Sequence, residues 1–365
     1  EEVRPTLPIF SQETVFYVQQ AILRHQNIVA QGGWPVVPAT KKLQLGVIDP
    51  DVEILRKRLM VSGDLAPQAG MSQAFDSYVD SALKRFQARH GLPADGVTGK
   101  FTFAAMNVPA HVRHSQMQIN LERLRSMSEP LTQPRFVMVN IPAAQIEAVE
   151  NGRVVLRHTA IVGKTDRQTP ILSSAINEVI VNPYWNAPES IVRKDIIPLV
   201  RKNPQYLAEN NIRILGPDGN EIDPMTIDWS TDEAAKLRFR QDPGKINAMA
   251  SVKINFPNPH AVYLHDTPQQ SLFNELMRFD SSGCVRVQNV RDLVTWLLRH
   301  TAGWDRQRLE RTIRNEEDVP VQLAVPVPIY LTYVSAWSTG DGVEHFRADI
   351  YAMDGAEQLQ ITSAL

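Results

Sequence analysis

Apolar residues recur every three or four positions through the N-terminal third of the chain, and the repeat shortens towards two from residue 135 onward. The first helical stretch is 13–26, which is amphipathic and is followed by the breaker Gly32-Gly33-Trp34-Pro35. Between 46 and 109, Val52, Leu55 and Leu59 share one helical face, and Val79, Leu83 and Phe86 share another that ends near Gly91. A turn at Leu92-Pro93-Ala94-Asp95-Gly96 leads to Thr98, which is placed to cap a short third helix carrying Phe101 and Ala105. Three short helices bury only a small core, so this unit reads as an accessory module. Residues 110–134 are charged and helical, with Ile119, Leu121 and Leu124 on a packing face, and link the module to the C-terminal part of the chain.

Strand-like runs then appear at 136–141, 145–149 and 153–162. Asn151-Gly152 between the last two predicts a hairpin, because both residues tolerate the positive φ of a type I′ turn. Further strands are expected at 176–181, 251–256, 261–265, 321–334 and 344–351, with a helix at 289–300 on which Val290, Leu293, Val294 and Leu297 share a face. The alternation breaks down between 165 and 244, a stretch holding Asn182-Pro183-Tyr184-Trp185-Asn186, a helical run at 191–210 and a turn at Pro217-Asp218-Gly219. An interruption of this length is too long for a plain loop and reads as a lid or a specificity element. The predicted architecture is multidomain α+β. A helical scaffold segment (1–45) precedes the three-helix module (46–109) and a helical scaffold or linker (110–134). A mostly-β domain (135–365) completes the chain, with an inserted capping subdomain at 165–244.

Composition narrows the function. The 365 residues carry a net charge of -2, with 43% hydrophobic and 21% charged residues, which suits an ordered globular chain. No basic stripe marks a nucleic-acid surface, and no apolar run reaches the roughly 18–20 residues that span a bilayer. The opening Glu1-Glu2-Val3-Arg4-Pro5 does not resemble a secretion signal. The single cysteine, Cys284, excludes an internal disulfide.

That cysteine sits in Ser281-Ser282-Gly283-Cys284, ahead of the helix expected near 289. In a tight turn, the N–H groups around Gly283 and Cys284 can converge on an oxyanion, while Arg286 and the helix N-terminus favour a thiolate. A free thiol of pKa about 8.5 is only a few per cent ionised at neutral pH, so a base helps, and neutral histidine suits the task. The chain has nine: His25, His90, His111, His114, His158, His260, His265, His300 and His345. Spacing alone does not choose among them. A metal site built on His260, His265 and Asp266 has too few ligands, so none is expected.

Two segments resemble known families. ALKRFQARHGLPADGVTGKFTFAAMN resembles the peptidoglycan-binding domain of many wall enzymes, most specifically over 86–107. His265-Asp266-Thr267, followed nineteen positions after His265 by Cys284 within Ser-Gly-Cys-Val-Arg, resembles the L,D-transpeptidase catalytic domain of the YkuD family over 135 to about 350. With its module and insertion, the chain is most similar to the large multidomain murein L,D-transpeptidases of Gram-negative bacteria, in which the insertion caps the active site. The resemblance implies Cys284 as nucleophile, His265 as general base, and the backbone carbonyl of Asp266 as the group that orients the imidazole. It implies oxyanion donors at Ser282, Gly283 and Cys284. Arg286 is expected to organise the site or meet a carboxylate, and Tyr263, on the strand face of His265, to line the pocket. Tyr184, Trp185, Asn186 and Ser281 complete the expected substrate contacts. Asp266 could instead pair with Arg278 or Arg286, and Trp185 and Tyr184 could be lid core. Many smaller members carry histidine where this chain has Ser282; the larger ones share Ser-Ser-Gly-Cys.

The implied reaction is acyl transfer from a stem tetrapeptide, with release of D-alanine, to an acceptor amine, forming 3→3 crosslinks. The implied partners are peptidoglycan stem peptides as donor and acceptor, envelope proteins as other acceptors, and carbapenems as covalent inhibitors; no cofactor and no nucleic acid is implied. The implied location is the periplasm or cell envelope, with the export signal outside this numbering. L,D-carboxypeptidase activity, attachment of envelope proteins and non-catalytic wall binding are the alternatives. Papain-like proteolysis is disfavoured because there the nucleophile precedes the base.

Overall fold

A computed structural model describes residues 8–127 and 132–360. Parts of the expected segments 1–45, 110–134 and 135–365 therefore lie outside the described residues, namely 1–7, 128–131 and 361–365. The chain opens with α1 (Thr14–Ala30), longer than the expected 13–26. Next come α2 (Pro50–Val61), α3 (Ser77–Arg89) and α4 (Lys100–Met106), which bury Val52, Leu55, Leu59, Val79, Leu83, Phe86 and Phe103 in one small core. Asp49 and Asp76 cap the first two of these by accepting backbone N–H bonds. Thr98 does not cap α4. It is fully buried, and its hydroxyl pairs with the backbone of Leu43, leaving Gly99 at the cap position. Helix α5 (Ala110–Arg125) packs along α1.

Nine of the strands that follow build one large sheet. In chain order they are β1 (Arg135–Asn140), β2 (Gln145–Glu150), β3 (Arg153–Gly163) and β4 (Leu172–Val181). The lid contributes β5 (Trp185–Ala187), α6 (Glu189–Ile191), a π-helical turn (Val192–Ile196), α7 (Ile197–Lys202), α8 (Tyr206–Glu209), β6 (Ile212–Leu215), β7 (Glu221–Ile222) and β8 (Arg238–Gln241). The sheet resumes with β9 (Val252–Asn255), β10 (Leu264–His265), β11 (Phe279–Ser281) and β12 (Val285–Val287), followed by α9 (Val290–Leu297), α10 (Arg306–Arg314) and β13 (Val319–Thr332). A short pair, β14 (Ala336–Ser338) and β15 (Glu344–Phe346), comes last.

The nine-stranded order is β11-β3-β12-β10-β9-β4-β13-β1-β2, and a β2–β3 pairing closes the sheet on itself. Strand β3 does this by dividing its length: its first half pairs with β2, then Ala160 and Ile161 meet β12, and its last residues meet β11. Asn151 and Gly152 at the β2–β3 turn both take positive φ. Alternation sends Val137 and Val139 of β1 into the interior with Val162, Ile254, Leu264, Val285 and the apolar face of α9. Each fully buried aliphatic side chain of this size contributes about 1.5–3 kcal/mol. Phe136 and Met138 point the other way, against Val18 of α1 and Leu121 and Leu124 of α5.

The expected insertion boundaries shift. Residues 172–181 form β4, which lies between β9 and β13 inside the sheet, so the excursion starts after Val181 and not at 165. The lid carries its own four-stranded sheet, β5-β8-β6-β7, where helix was the main expectation, and its own core of Val192, Ile196, Ile197, Ile214 and Phe239. Among the described residues, no helix is long and apolar enough to cross a membrane.

Candidate active site

The site grows from the register of three neighbouring strands. Leu264 of β10 lies opposite Ile254 of β9 and Val285 of β12, and all three are core residues. The next residue, His265, lies opposite Lys253 and Arg286 on the other face of the sheet. One step back, the Val285 N–H donates to the Tyr263 carbonyl at 3.1 Å, which sets Tyr263 beside Cys284. Lys253, Tyr263, His265, Cys284 and Arg286 thus share one face, with His265 and Cys284 as diagonal neighbours across the parallel β10–β12 pair.

His265 is buried, and its Nδ1 lies 2.5 Å from the Asp266 carbonyl oxygen. A carbonyl only accepts, so Nδ1 carries the proton and Nε2 presents its lone pair. Burial, against the Asp266 bond and with help from Arg286 and Lys253, drops its pKa to about 4. The Asp266 carboxylate accepts from Ser251 and from the Thr267 N–H at 2.8 Å, and not from Arg278 or Arg286. Those arginines donate elsewhere, Arg278 to the carbonyls of Ala160, Ala143 and Glu275 and Arg286 to Gln269 at 3.0 Å.

The depressed His265 value has a consequence for stability. An unfolded chain binds protons at this residue below about pH 6.5, where the folded chain refuses them until about pH 4. Stability therefore falls as pH drops through that window, by about 2 kcal/mol at pH 5 for this residue. Urea unfolding at pH 7 and pH 5 checks this. Relative to a His265→Asn variant, the parent chain loses that increment, and equal pH slopes in the two would refute it.

Cys284 is half-buried. Burial pushes its thiol up, opposed by hydrogen bonding from the Tyr263 backbone and hydroxyl and by the charges of Lys253 and Arg286. The expected contribution of a helix N-terminus is absent, because β12 intervenes and α9 begins only at Val290. The turn itself is clamped. The Ser281 hydroxyl donates to the Cys284 carbonyl at 2.5 Å and accepts from the Gly283 N–H at 3.2 Å. Thr169 donates to the Gly283 carbonyl at 2.8 Å. Gly283 takes φ +116, a conformation that favours glycine.

Two expectations are corrected here. Ser281 is buried, with its hydroxyl committed to the turn, so it is a brace and not a substrate contact. The Gly283 N–H is already engaged, whereas no acceptor among the described residues meets the N–H of Ser282 or Cys284.

The lid reaches the site at two points. Trp185 lies close enough to the Tyr263 hydroxyl to oppose the rise that burial and Cys284 impose on its pKa. Arg167 donates to both carboxylate oxygens of Asp195, at 2.7 and 3.2 Å, and to the Ser282 hydroxyl at 3.0 Å. It therefore ties the lid's π-helical turn to the cysteine turn. The Tyr263 ring meets the imidazole edge-on at 5.6 Å and carries the Lys253 ammonium 4.3 Å above its centre. Tyr184 and Asn186 are not brought in. Tyr184 is exposed under Arg240, and Asn186, on the opposite strand face from Trp185, accepts from Arg238 at 3.0 Å. Sequence reasoning missed Lys253, Arg167 and Asp195, since only strand pairing and lid packing bring them near Cys284.

Comparison with known proteins gives the family. The family profile of the L,D-transpeptidase catalytic domain (YkuD) matches residues 134–323, and that of a "Putative peptidoglycan binding domain" matches residues 49–106. A "Putative L,D-transpeptidase" of Haemophilus influenzae (strain Rd) is 36% identical over 243 residues, covering 66% of this chain and 48% of that protein. The chain thus spans about half the length of that curated relative. Similar solved structures include the L,D-transpeptidase (residues 123-326) of Xylanimonas cellulosilytica, with 16% identity, coverage of 81% of this chain and 99% of that one, and a TM-score of 0.25. Another is the L,D-transpeptidase (Yku) of Stackebrandtia nassauensis, with 13% identity, coverage of 81% and 96%, and a TM-score of 0.28. With the catalytic-domain profile matching more than half of its length, the chain belongs to the YkuD family of L,D-transpeptidase catalytic domains.

Proposed function

We propose that the chain is a peptidoglycan L,D-transpeptidase of the cell envelope, working in the periplasm, with Cys284 as nucleophile and His265 as its base. The observation that carries this reading is the held imidazole: Nδ1 is fixed on the Asp266 carbonyl, and Nε2 is free on the face that bears the only thiol. In the first step the Cys284 proton passes to His265 Nε2 and the sulfur attacks the carbonyl of the meso-diaminopimelate–D-alanine bond of a stem tetrapeptide. The N–H groups of Cys284 and Ser282 receive the oxyanion; one such donor is typically worth about 3 kcal/mol. The C–N bond then breaks, and His265 returns its proton to the leaving D-alanine amine.

In the second step the side-chain amine of a second diaminopimelate attacks the thioester while His265 takes its proton, and the thiolate leaves. A 3→3 crosslink results. Lys253 and Arg286 face the sulfur and favour negative charge there or on a substrate carboxylate. Carbapenems would acylate the same sulfur.

Water competes with the amine, and the lid, tied to the cysteine turn through Arg167 and Asp195, would exclude it. Arg167→Ala removes the tie to Asp195 and Ser282, a partly exposed contact worth about 1 kcal/mol. The ratio of hydrolysis to crosslinking is expected to rise about fivefold. An unchanged product ratio would count against the lid as a water barrier.

Mass spectrometry after incubation with disaccharide-tetrapeptide tests the function. Crosslinked dimer and a transient acyl adduct on the protein are the expected products. Tripeptide and D-alanine alone would point to a carboxypeptidase. Transfer only to added protein amines would indicate envelope-protein attachment, and unaltered substrate a wall-binding role.

A further inference from the structure

A cavity of about 210 Å³ lies between the three-helix module and the closed sheet, apart from Cys284. Three arginines line it, Arg113, Arg278 and Arg347, and no Asp or Glu is among its described lining residues. Arg113 is buried and feels the Asp354 carboxylate, whereas Arg278 and Arg347 are half-buried and no carboxylate lines the cavity beside them, so the cavity suits an anion. Arg278 is spent on backbone carbonyls, and Arg113 donates to Ala105 and Gln116. Arg347 is different. Its Nη1 donates to the carbonyls of Arg89 and Phe346, at 3.0 and 2.8 Å, and no acceptor among the described residues meets its Nε or Nη2. Burial and the neighbouring Arg278 lower its pKa to about 10.

The module shapes this arrangement. Gly91 takes φ +68 where α3 ends, and a Cβ there would sit 2.5 Å from Arg347 Nε, so only glycine lets the guanidinium lie against the turn. Beside it, His90 is 7% exposed and stacks on Phe346, with ring centroids 5.4 Å apart. Its Nδ1 donates to the Phe86 carbonyl at 2.7 Å, so Nε2 holds a lone pair. That nitrogen meets no donor among the described residues, and burial keeps the ring neutral. Leu92, Phe101 and Ala104 supply an apolar wall.

We propose that this cavity binds a small N-acylated carboxylate. The carboxylate pairs with Arg347 Nε and Nη2, the amide N–H donates to His90 Nε2, and a methyl-sized group rests on Leu92, Phe101 and Ala104. Two wall components share this chemistry, the C-terminal D-alanine of a stem peptide and the lactyl acid of N-acetylmuramic acid that carries no stem, and their choice as candidates rests on the function proposed above. Occupancy would also touch Phe279 of β11, the strand that runs into the cysteine turn.

Isothermal titration of the full chain carrying Cys284→Ala, which excludes turnover, tests this inference. The probes are N-acetyl-D-alanine and N-acetylmuramic acid, with N-acetyl-D-alaninamide and N-acetylglucosamine as neutral counterparts. One acid or both should bind saturably at one site, at least tenfold tighter than its neutral counterpart, and the better acid names the source. Arg347→Gln and Ala104→Trp, the latter filling the cavity without touching a charge, should each weaken binding at least tenfold. Absence of saturable binding at millimolar acid, equal binding of the neutral probes, or undiminished binding in either folded variant overturns the inference. Lost binding with crosslinking intact rejects this site alone. Retained binding in a chain that never crosslinks rejects the catalytic reading alone.

Discussion

Cys284→Ala is expected to abolish crosslinking, lowering turnover by at least about four orders of magnitude, while the fold persists. The residual rate should be that of an oxyanion site without a nucleophile. The substitution deletes one sulfur from a half-buried position at the rim of the core, and the turn around it is held by other groups. Ser281 bonds to the backbone of Gly283 and Cys284, and Thr169 bonds to the Gly283 carbonyl, so neither clamp depends on the thiol. Circular dichroism and the urea midpoint should therefore stay close to the parent values. Intact-protein mass spectrometry should lose the acyl adduct, and a carbapenem should no longer add to the protein. An adduct that persists on the alanine variant would remove Cys284 from the mechanism.

The second large effect belongs to His265. Converting it to glutamine removes the acceptor that Nε2 offers to the thiol proton, and general-base assistance of this kind is worth about 10²–10⁴ in rate. The pH profile separates this from a packing defect. In the parent chain the imidazole stays neutral down to about pH 4 and burial raises the thiol, so both groups hold their resting protonation across the neutral range. Acylation by the parent should then be level between about pH 8 and 5, with no descending limb near the usual histidine value of about 6.5. The variant must rely on spontaneous thiolate, whose share rises tenfold per pH unit below the thiol pKa, so its rate should climb steeply from pH 7 to 9. A variant with a profile as level as the parent would show that His265 is not the base.

Cys284 stood out in the chain as the single thiol, set after a glycine, whereas His265 was picked from nine histidines only by the resemblance to the YkuD catalytic domain, because spacing alone does not choose among them. The helices of the module were plain, since Leu55, Leu59, Leu83 and Phe86 follow helical spacing within single segments. What escaped depends on pairings between distant segments. Lys253 looks like any strand lysine until β9 pairs with β10 and sets it opposite His265. Arg167 and Asp195 gain meaning only once the lid folds back over the cysteine turn. Thr98 shows the reverse failure. Its place before a helix suggested a cap, but a long-range partner, Leu43, took its hydroxyl first. The lid's four short strands were hidden because each is too brief for alternation to stand out against the flanking turns.

The point at which the lid leaves the sheet makes it separable from the rest. Val181 at the end of β4 is the direct partner of Val252 at the start of β9, so the two attachment points are antiparallel neighbours. A two-residue hairpin turn could bridge them. Lengthening a connection costs loop-closure entropy that grows only with the logarithm of its length, and the inserted segment has a core of its own. The segment between these two residues can therefore be shortened or exchanged at this junction without disturbing a single pairing of the nine-stranded sheet.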